Sequence, residues 1–472
     1  MTYDLCVLGS GPGGEKAAIQ AAKLGKRVCV VEARDRMGGV AVNTGTIPSK
    51  ALREMIRRLV GATSVSPSMR DSVVAFRADT MKRLWETYEQ IVRDEGLLVR
   101  DHLVSNGVDM LVGRGRFLDA NTVEVTEPDG SKETVSASHV LIAVGTEPTR
   151  PDGIPFDRTS VITTDELLLL EQLPHSMIIV GGGVIGTEYA SMLALLGIRV
   201  TLVEGRPRLL EFADAEIVEA LQFHLRREGV ALRLGEKLVR IDTRPAAEGA
   251  RTVDGTIAEA VLESGKRLQA DCVLYCIGRQ GATHDLGLDR IGIEADARGR
   301  IAVDESYRTK VPDVFAVGDV IGFPALASTS MDQGRVAACN MFGVPTSTVG
   351  RLLPYGIYSV PEISMVGANE GELTAKGVPY ECGIALYSEI ARGKILGDET
   401  GMLKLVFHAE THALLGVHAI GTGATELVHL GQAVMAFDGK VEYFVDTVFN
   451  YPTLAECYKV AAFNGLNRLR DV

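Results

Sequence analysis

Short apolar runs in this chain stop repeatedly at clusters of glycine, and the first run shows the pattern in full. Tyr3 to Leu8 suits a buried strand. Gly9-Ser-Gly-Pro-Gly-Gly14 follows, then a helical stretch to Leu24, then a second apolar run from Arg27 to Val31 that ends at Glu32. The order is strand, glycine turn, helix, strand, acid. It recurs from Met177 to Val180 through Gly181-Gly-Gly-Val-Ile-Gly186, a helix to Leu196, a run from Arg199 to Val203, and Glu204. Glu32 stands 23 positions after Gly9, and Glu204 stands 23 after Gly181. One such turn says little in a chain with 51 glycines, but the matched spacing sets two copies apart from unrelated strand-helix turns.

Later segments extend the pattern. Asp313-Val-Phe-Ala-Val-Gly-Asp319 is an apolar strand ending in Gly-Asp. Stretches such as Met402 to Phe407 and Leu414 to Ile420 alternate, and helical stretches begin at Ala424 and Leu454. Gly61 to Thr80 lacks regular periodicity and is expected to be an exposed, mobile connection. The fold class expected is α/β, with two Rossmann-like dinucleotide-binding domains and an α+β C-terminal domain.

The chemistry of the two turns follows from their glycines. A chain that turns sharply there brings backbone N–H groups against a pyrophosphate at the helix N-terminus. The acid ending the second strand accepts from ribose hydroxyls. Gly9, Gly11, Pro12, Gly13, Gly14 and Glu32, with Ala33 beside it, are candidates for one dinucleotide. Gly181, Gly183, Val184, Ile185, Gly186 and Glu204 are candidates for the other. The usual pairing is a flavin with a nicotinamide, because flavin N5 accepts hydride from nicotinamide C4. Asp319 is placed to bind a ribityl hydroxyl, although a plain strand-turn fits the same residues. Glu204 favours NAD(H), because a carboxylate repels a 2′-phosphate, yet Arg206 and Arg208 follow closely. They either pair with that phosphate or are solvated surface residues.

Composition narrows the field. A chain of 472 residues exceeds one ordinary core and suggests two to four domains. With 46% apolar and 23% charged residues it reads as folded. A net charge of −12 excludes the basic footprint of a nucleic-acid binder or a polybasic membrane anchor. The most apolar stretch, Ser176 to Val203, is interrupted by glycines, Glu188 and Arg199, so no transmembrane helix is expected. No signal-peptide pattern opens the sequence. Seven cysteines without a CxxC fit a reducing compartment, and the expected location is cytoplasmic. Core packing is the best reading for most of these cysteines. No metal site is expected.

Gly38-Gly-Val-Ala-Val-Asn-Thr-Gly-Thr-Ile-Pro-Ser-Lys50 carries a resemblance that covers nearly the whole chain. It is similar to the GGxCxNxGCxPSK stretch of the flavoprotein disulfide reductase family, whose two cysteines form a redox disulfide beside FAD. Ala41 and Thr46 stand at those positions here. Ala143-Val-Gly-Thr-Glu-Pro148, Gly278-Arg279, Val317-Gly-Asp319 and Leu326-Ala-Ser328 resemble further family segments. The resemblance implies FAD contacts from Gly38, Gly39, Val40, Asn43, Thr44, Gly45, Lys50, Gly115 and Arg116. It adds Ala143, Val144, Gly145, Thr146, Arg279, Gly318, Asp319, Leu326, Ala327 and Ser328. Gly278 and Glu188 join the NAD(P) set, and Glu188 is the implied partner of Lys50. The family's C-terminal His-Pro-Thr-x-x-Glu, which supplies a proton-moving dyad from the partner subunit, reads Tyr451-Pro-Thr-Leu-Ala-Glu456. A phenol with an ordinary pKa near 10 is a poor base at neutral pH.

Dithiol and base are thus both replaced. Within the family, the group moving hydride between nicotinamides shares Gly45 to Arg53, Gly318 to Pro324, Gly356 to Glu362, Phe449 to Glu456 and Asn464 to Leu469. The implied reaction is FAD-dependent transfer between NADPH and NAD⁺, ping-pong and without a disulfide, with Lys50, Glu188, Tyr451 and Glu456 as catalytic candidates. NAD(H) and NADP(H) are then substrates. A quinone or dye reductase, or a nicotinamide-binding flavoprotein without turnover, are the alternatives. Residues 1–150 and 280–345 are expected to form the FAD domain, 151–279 the NAD(P) domain and 346–472 the dimerisation domain. A homodimer or higher homo-oligomer is implied, with no nucleic acid or membrane partner.

Overall fold

The computed structural model describes residues 2–63, 77–167, 169–170, 172–247, 252–347, 350 and 352–470. Its first sheet is built around the parallel strands Thr2–Leu8, Val28–Glu32, Asp109–Val112, Lys132–Ile142 and Val314–Ala316. Antiparallel strands Arg114–Asp119 and Thr122–Thr126 extend it to seven. The second sheet has five parallel strands in the spatial order Ala231–Leu234, Arg199–Glu204, Ser176–Val180, Cys272–Tyr275 and Val161–Ile162. The third has five strands, all paired antiparallel, with Leu414–Ile420 at its centre. A two-stranded ribbon, Thr146–Pro148 against Arg279–Gly281, ties together the places where the chain leaves the first sheet and returns towards it.

The internal repeat holds bond by bond. Gly9 N–H donates to Val31 O and Gly181 N–H to Val203 O, both at 2.8 Å. A Cβ on Gly14 would lie 2.0 Å from Gly9 O, and one on Gly186 would lie 1.9 Å from Gly181 O. Only hydrogen fits at these positions, so strand, turn and helix pack in one way in both copies.

The helix Pro12–Lys23 opens with proline in its first turn and buries Ala17, Ala18 and Ala21. It crosses the helix Ala327–Met341 closely, because a Cβ on Gly334 would lie 2.0 Å from Gly13 O. The helix Val184–Leu195 buries eight consecutive residues from Gly186 to Leu193, so its polar Glu188 lies inside the protein. The irregular stretch from Gly61 to Thr80 differs from expectation at both ends. The helix Thr46–Thr63 runs into it and the helix Arg77–Ser105 starts within it, while 64–76 lie outside the described residues. The last helix begins at Glu456, two residues after the expected Leu454.

All seven cysteines are free, and all but the half-buried Cys276 are buried. Cys6 and Cys29 face each other across neighbouring strands. Their mutual hydrogen bond and burial push the Cys29 thiol upward, away from the reactive thiolate. No helix among the described residues is long and apolar enough to cross a membrane.

Candidate functional site

A cavity of about 330 Å³ opens where the first sheet meets its glycine turn. Its lining includes Gly9, Gly11, Pro12, Gly13, Glu32, Ala33, Gly39, Val40, Gly115, Ala143, Val144, Gly145, Thr146, Gly318, Asp319 and Ala327. Ala41 and Thr46 line it too, and no cysteine does. The residues fit a dinucleotide. The turn leaves backbone at the surface where any side chain would fill the space, for a Cβ on Gly9 would stand 2.5 Å from Ala143 O. Glu32 is buried and held by Ser10, whose N–H donates at 2.9 Å and whose hydroxyl donates to the same oxygen. Ser10 Oγ in turn accepts from Gly38 N–H at 2.9 Å. Thr44 Oγ1 is buried without a protein partner, an unsatisfied group consistent with a bound cofactor. Asp319 sits in the turn Gly318–Ile321, where burial raises its carboxyl against the nearby Arg279 charge and a bond from Thr146.

Other sequence candidates stand outside the lining and brace the segments that form it. Asn43 Nδ2–H donates to Met37 O and Gly39 O, and Gly45 N–H donates to Val40 O, which closes the turn before the helix Thr46–Thr63. Arg279 Nε–H donates to Thr146 Oγ1 at 2.9 Å and Nη2–H to Thr146 O at 2.8 Å. Gly278, at φ +81°, makes the bend before it. Arg116, Leu326 and Ser328 are not in the lining. Arg116 packs against Gly287, Leu326 caps the helix Ala327–Met341, and Ser328 is exposed. Ser330, two residues further along the helix, faces the cavity.

Lys50 lies one helical turn beyond Thr46 and so shares its face. Its ammonium donates to both oxygens of Glu188, at 3.1 and 3.0 Å. Glu188 comes from the helix after the second glycine turn, so this bond joins the two repeats. Tyr358 is a third member that sequence reasoning missed. Its main-chain N–H donates to Glu188 Oε1 at 2.8 Å, and its ring lies 4.9 Å from the Lys50 ammonium. The only sequence signal for it is its place in the segment from Gly356 to Glu362. Arg53, on the next part of the same helix, donates from Nε–H to Ser359 O at 3.0 Å.

The second turn keeps its own acid. Gly182 N–H donates to Glu204 Oε2 at 2.7 Å, as Ser10 does to Glu32. Gly183 is the N-cap of the helix Val184–Leu195, with Val184 and Ile185 in its first turn. Arg206 lies on Glu204, while Arg208 is half-buried and donates to Glu211 O. Tyr451 is 73% exposed, and neither it nor Glu456 lines the cavity of its own chain. Glu456 Oε2 is buried without a partner.

Comparison with known proteins places this geometry. A family model described as pyridine nucleotide-disulphide oxidoreductase matches residues 3–334. The dimerisation domain of the same family matches residues 353–462. A soluble pyridine nucleotide transhydrogenase from Mycobacterium tuberculosis (strain H37Ra) is 50% identical, over 99% of this chain and 98% of its own length. One from Pseudomonas putida is 44% identical over 99% of both chains. Among solved structures, LpdA from Mycobacterium tuberculosis superposes with a TM-score of 0.84 at 25% identity, over 97% of this chain and 98% of that one. The HOCl-induced flavoprotein disulfide reductase RclA from Escherichia coli also gives 0.84 at 25% identity, over 98% and 99%.

Proposed function

Because the chain belongs to the pyridine nucleotide-disulphide oxidoreductase family, we propose that it is an FAD-dependent transhydrogenase that moves hydride between NADPH and NAD⁺. The observation that carries this reading is the Lys50–Glu188 bond between the two dinucleotide units, beside a cavity with no cysteine in its lining. FAD, when bound, would supply N5 as a hydride acceptor and donor between nicotinamides.

The chain's own residues do the rest. Gly9 to Gly14, Glu32 and Asp319 hold FAD, and Gly181 to Gly186 with Glu204 hold the nicotinamide dinucleotide. Lys50 brings a positive charge to the face shared with Thr46, where hydride arrival adds negative charge, and Glu188 and Tyr358 hold it there. Ala41 and Thr46 keep thiol chemistry out of the path, so no proton-moving base is needed at Tyr451. One nicotinamide site serves both nucleotides in turn, which makes the kinetics ping-pong. Residues 1–150 and 280–345 act as the FAD domain, 151–279 as the NAD(P) domain and 346–472 as the dimerisation domain of a homodimer. Exposed Phe437, Tyr443, Val448 and Tyr451 in the last of these support a covered face.

The test is anaerobic. One equivalent of NADPH bleaches the flavin band of the purified holoenzyme, and thio-NAD⁺ then restores it as thio-NADH appears. Restoration by a quinone but not by thio-NAD⁺ overturns the reading in favour of a quinone reductase. Absence of bleaching overturns it in favour of a binding protein.

A further inference from the structure

The end of the strand Arg199–Glu204 carries more charge than recognition of one nucleotide requires. Glu204 is buried, and the protein occupies both its oxygens. Besides the Gly182 bond, Arg206 N–H donates to Oε1 at 2.8 Å, Nε–H to Oε1 at 2.9 Å and Nη2–H to Oε2 at 3.0 Å. Burial works to raise this carboxyl, yet the Arg206 and Gly182 bonds hold it below its ordinary range. The first repeat offers a control inside the same molecule. Glu32 is followed at the same offset by Arg34, which reaches Glu32 through its main-chain N–H at 3.1 Å, whereas Arg206 adds two guanidinium bonds to its acid.

Gly205 separates Glu204 from Arg206. A Cβ there would meet Lys237 Cγ at 3.0 Å and its Cδ and Cε at 4.0 Å, so the lysine stem lies along the glycine. Lys237 is itself exposed. Arg208 and Glu211 flank the group, and the Glu211 carboxylate is 4.0 Å from Arg206.

We propose that Glu204, Arg206 and Lys237 form an exchangeable reader of the nucleotide's 2′ position, with Lys237 as the member specific for phosphate. The inference rests on the reading that one site takes both nucleotides. With NAD(H) the Glu204–Arg206 pair stays closed, and Glu204 accepts from the 2′-hydroxyl through its remaining lone pairs. With NADP(H) the guanidinium turns from Glu204 to the 2′-phosphate, trading one bidentate anion for another. Glu204 then faces the phosphate, and Lys237 offsets that repulsion. The trio is net positive with Lys237 and neutral without it. Arg208 and Glu211 cancel each other and leave this balance unchanged.

The experiment titrates FAD-loaded protein by calorimetry with adenosine 2′,5′-bisphosphate and with AMP, which differ only in the 2′-phosphate. Lys237→Met is expected to weaken the bisphosphate about fivefold to tenfold and AMP by less than about twofold. Lys237→Arg keeps the charge and the bisphosphate affinity. Arg206→Ala weakens the bisphosphate more than AMP. Glu204→Gln removes the competing anion and tightens the bisphosphate while weakening AMP. A Lys237→Met variant that changes both ligands alike, or neither, overturns the inference and leaves the dual-nucleotide reading standing. Wild-type protein that binds AMP but not the bisphosphate overturns both.

Discussion

Lys50 is the residue on which the proposed chemistry turns, and three groups fix it. Glu188 supplies two acceptors, Ser49 Oγ a third at 3.2 Å, and the Tyr358 ring one face. Lys50→Met removes the charge and is expected to slow bleaching by NADPH on the order of a hundredfold, in line with loss of one electrostatic stabiliser. An unchanged rate in stopped-flow would sink that role. Tyr358 acts through Lys50. Tyr358→Phe keeps the ring and the main-chain N–H, and should bleach at the wild-type rate. Tyr358→Leu loses the ring and should slow by about twofold to fivefold, the worth of a half-exposed cation–π contact. The same variant should lower the flavin midpoint potential, because a less firmly held cation stabilises added negative charge less. A potential that does not move would reduce Tyr358 to packing. The lysine and glutamate of this pair were legible through the motif, but 138 positions separate them, and only folding shows that they touch.

Elements are positioned by backbone contact as much as by side chains. The helix Pro12–Lys23 presents Gly13 and Ala17 to Gly334 of the helix Ala327–Met341, where a Cβ would lie 2.0 Å from Gly13 O and 3.1 Å from Ala17 N. That crossing sets the glycine turn against Gly318 and Asp319, so it governs the cavity. Gly334→Val forces the helices apart. It is expected to cost about 2–3 kcal/mol of stability and to release FAD during gel filtration. Retention of full flavin content in the variant would show that the crossing has slack. Gly334 carried no sequence signal, since its neighbours read as an ordinary helix. The two repeated turns, by contrast, could be read directly, because their spacing is local and their glycines are needed by the turn itself.

At the scale of the molecule, the nicotinamide unit and the C-terminal sheet are joined by a buried charge. Lys404, on the strand Met402–His408, is 1% exposed and donates to Asp214 at 3.1 Å, to Glu216 at 3.0 Å and to Glu370. Burial works against its charge, yet these three carboxylates raise its pKa. Asp214 also caps the helix Ala215–Arg227, so the cluster orients the unit that carries the nucleotide. Lys404→Ala strands Asp214 without a cation and is expected to cost about 2–3 kcal/mol, the partly exposed Glu216 and Glu370 limiting the loss. A denaturation midpoint within error of wild type would show that the cluster is dispensable. His418 stands across from Lys404 in the sheet, fully buried, with Nε2 on Ala368 O at 3.0 Å and Nδ1 without a partner. Burial lowers its pKa, and the Lys404 charge adds to this against the opposing pull of Asp214 and Ala368. A histidine kept neutral in the fold contributes stability that is present above its unfolded pKa of about 6.5, and that is lost as pH falls from there through the folded value. Thermal melts should therefore lose less stability below about pH 6.5 in His418→Gln than in wild type. Identical acid slopes would remove His418 from the account.

The sequence by itself determined what depends on neighbours in the chain. It determined the two strand-turn-helix repeats with their acids and the replacement of the dithiol by Ala41 and Thr46. These are set by spacing and backbone freedom, both of which act over a few residues, whereas the alternation expected in the C-terminal strands gave way to burial on both faces. The tertiary structure alone decided which distant groups meet: Lys50 with Glu188 and Tyr358, Lys404 with Asp214 and Glu370, Lys237 across Gly205. It also decided that Ser328 faces out and Ser330 faces in. Such meetings depend on how helices and sheets pack, and packing is a property of the closed chain as a whole. A charged side chain reads the same in sequence whether it ends in water or on a buried carboxylate, and the fold makes that choice.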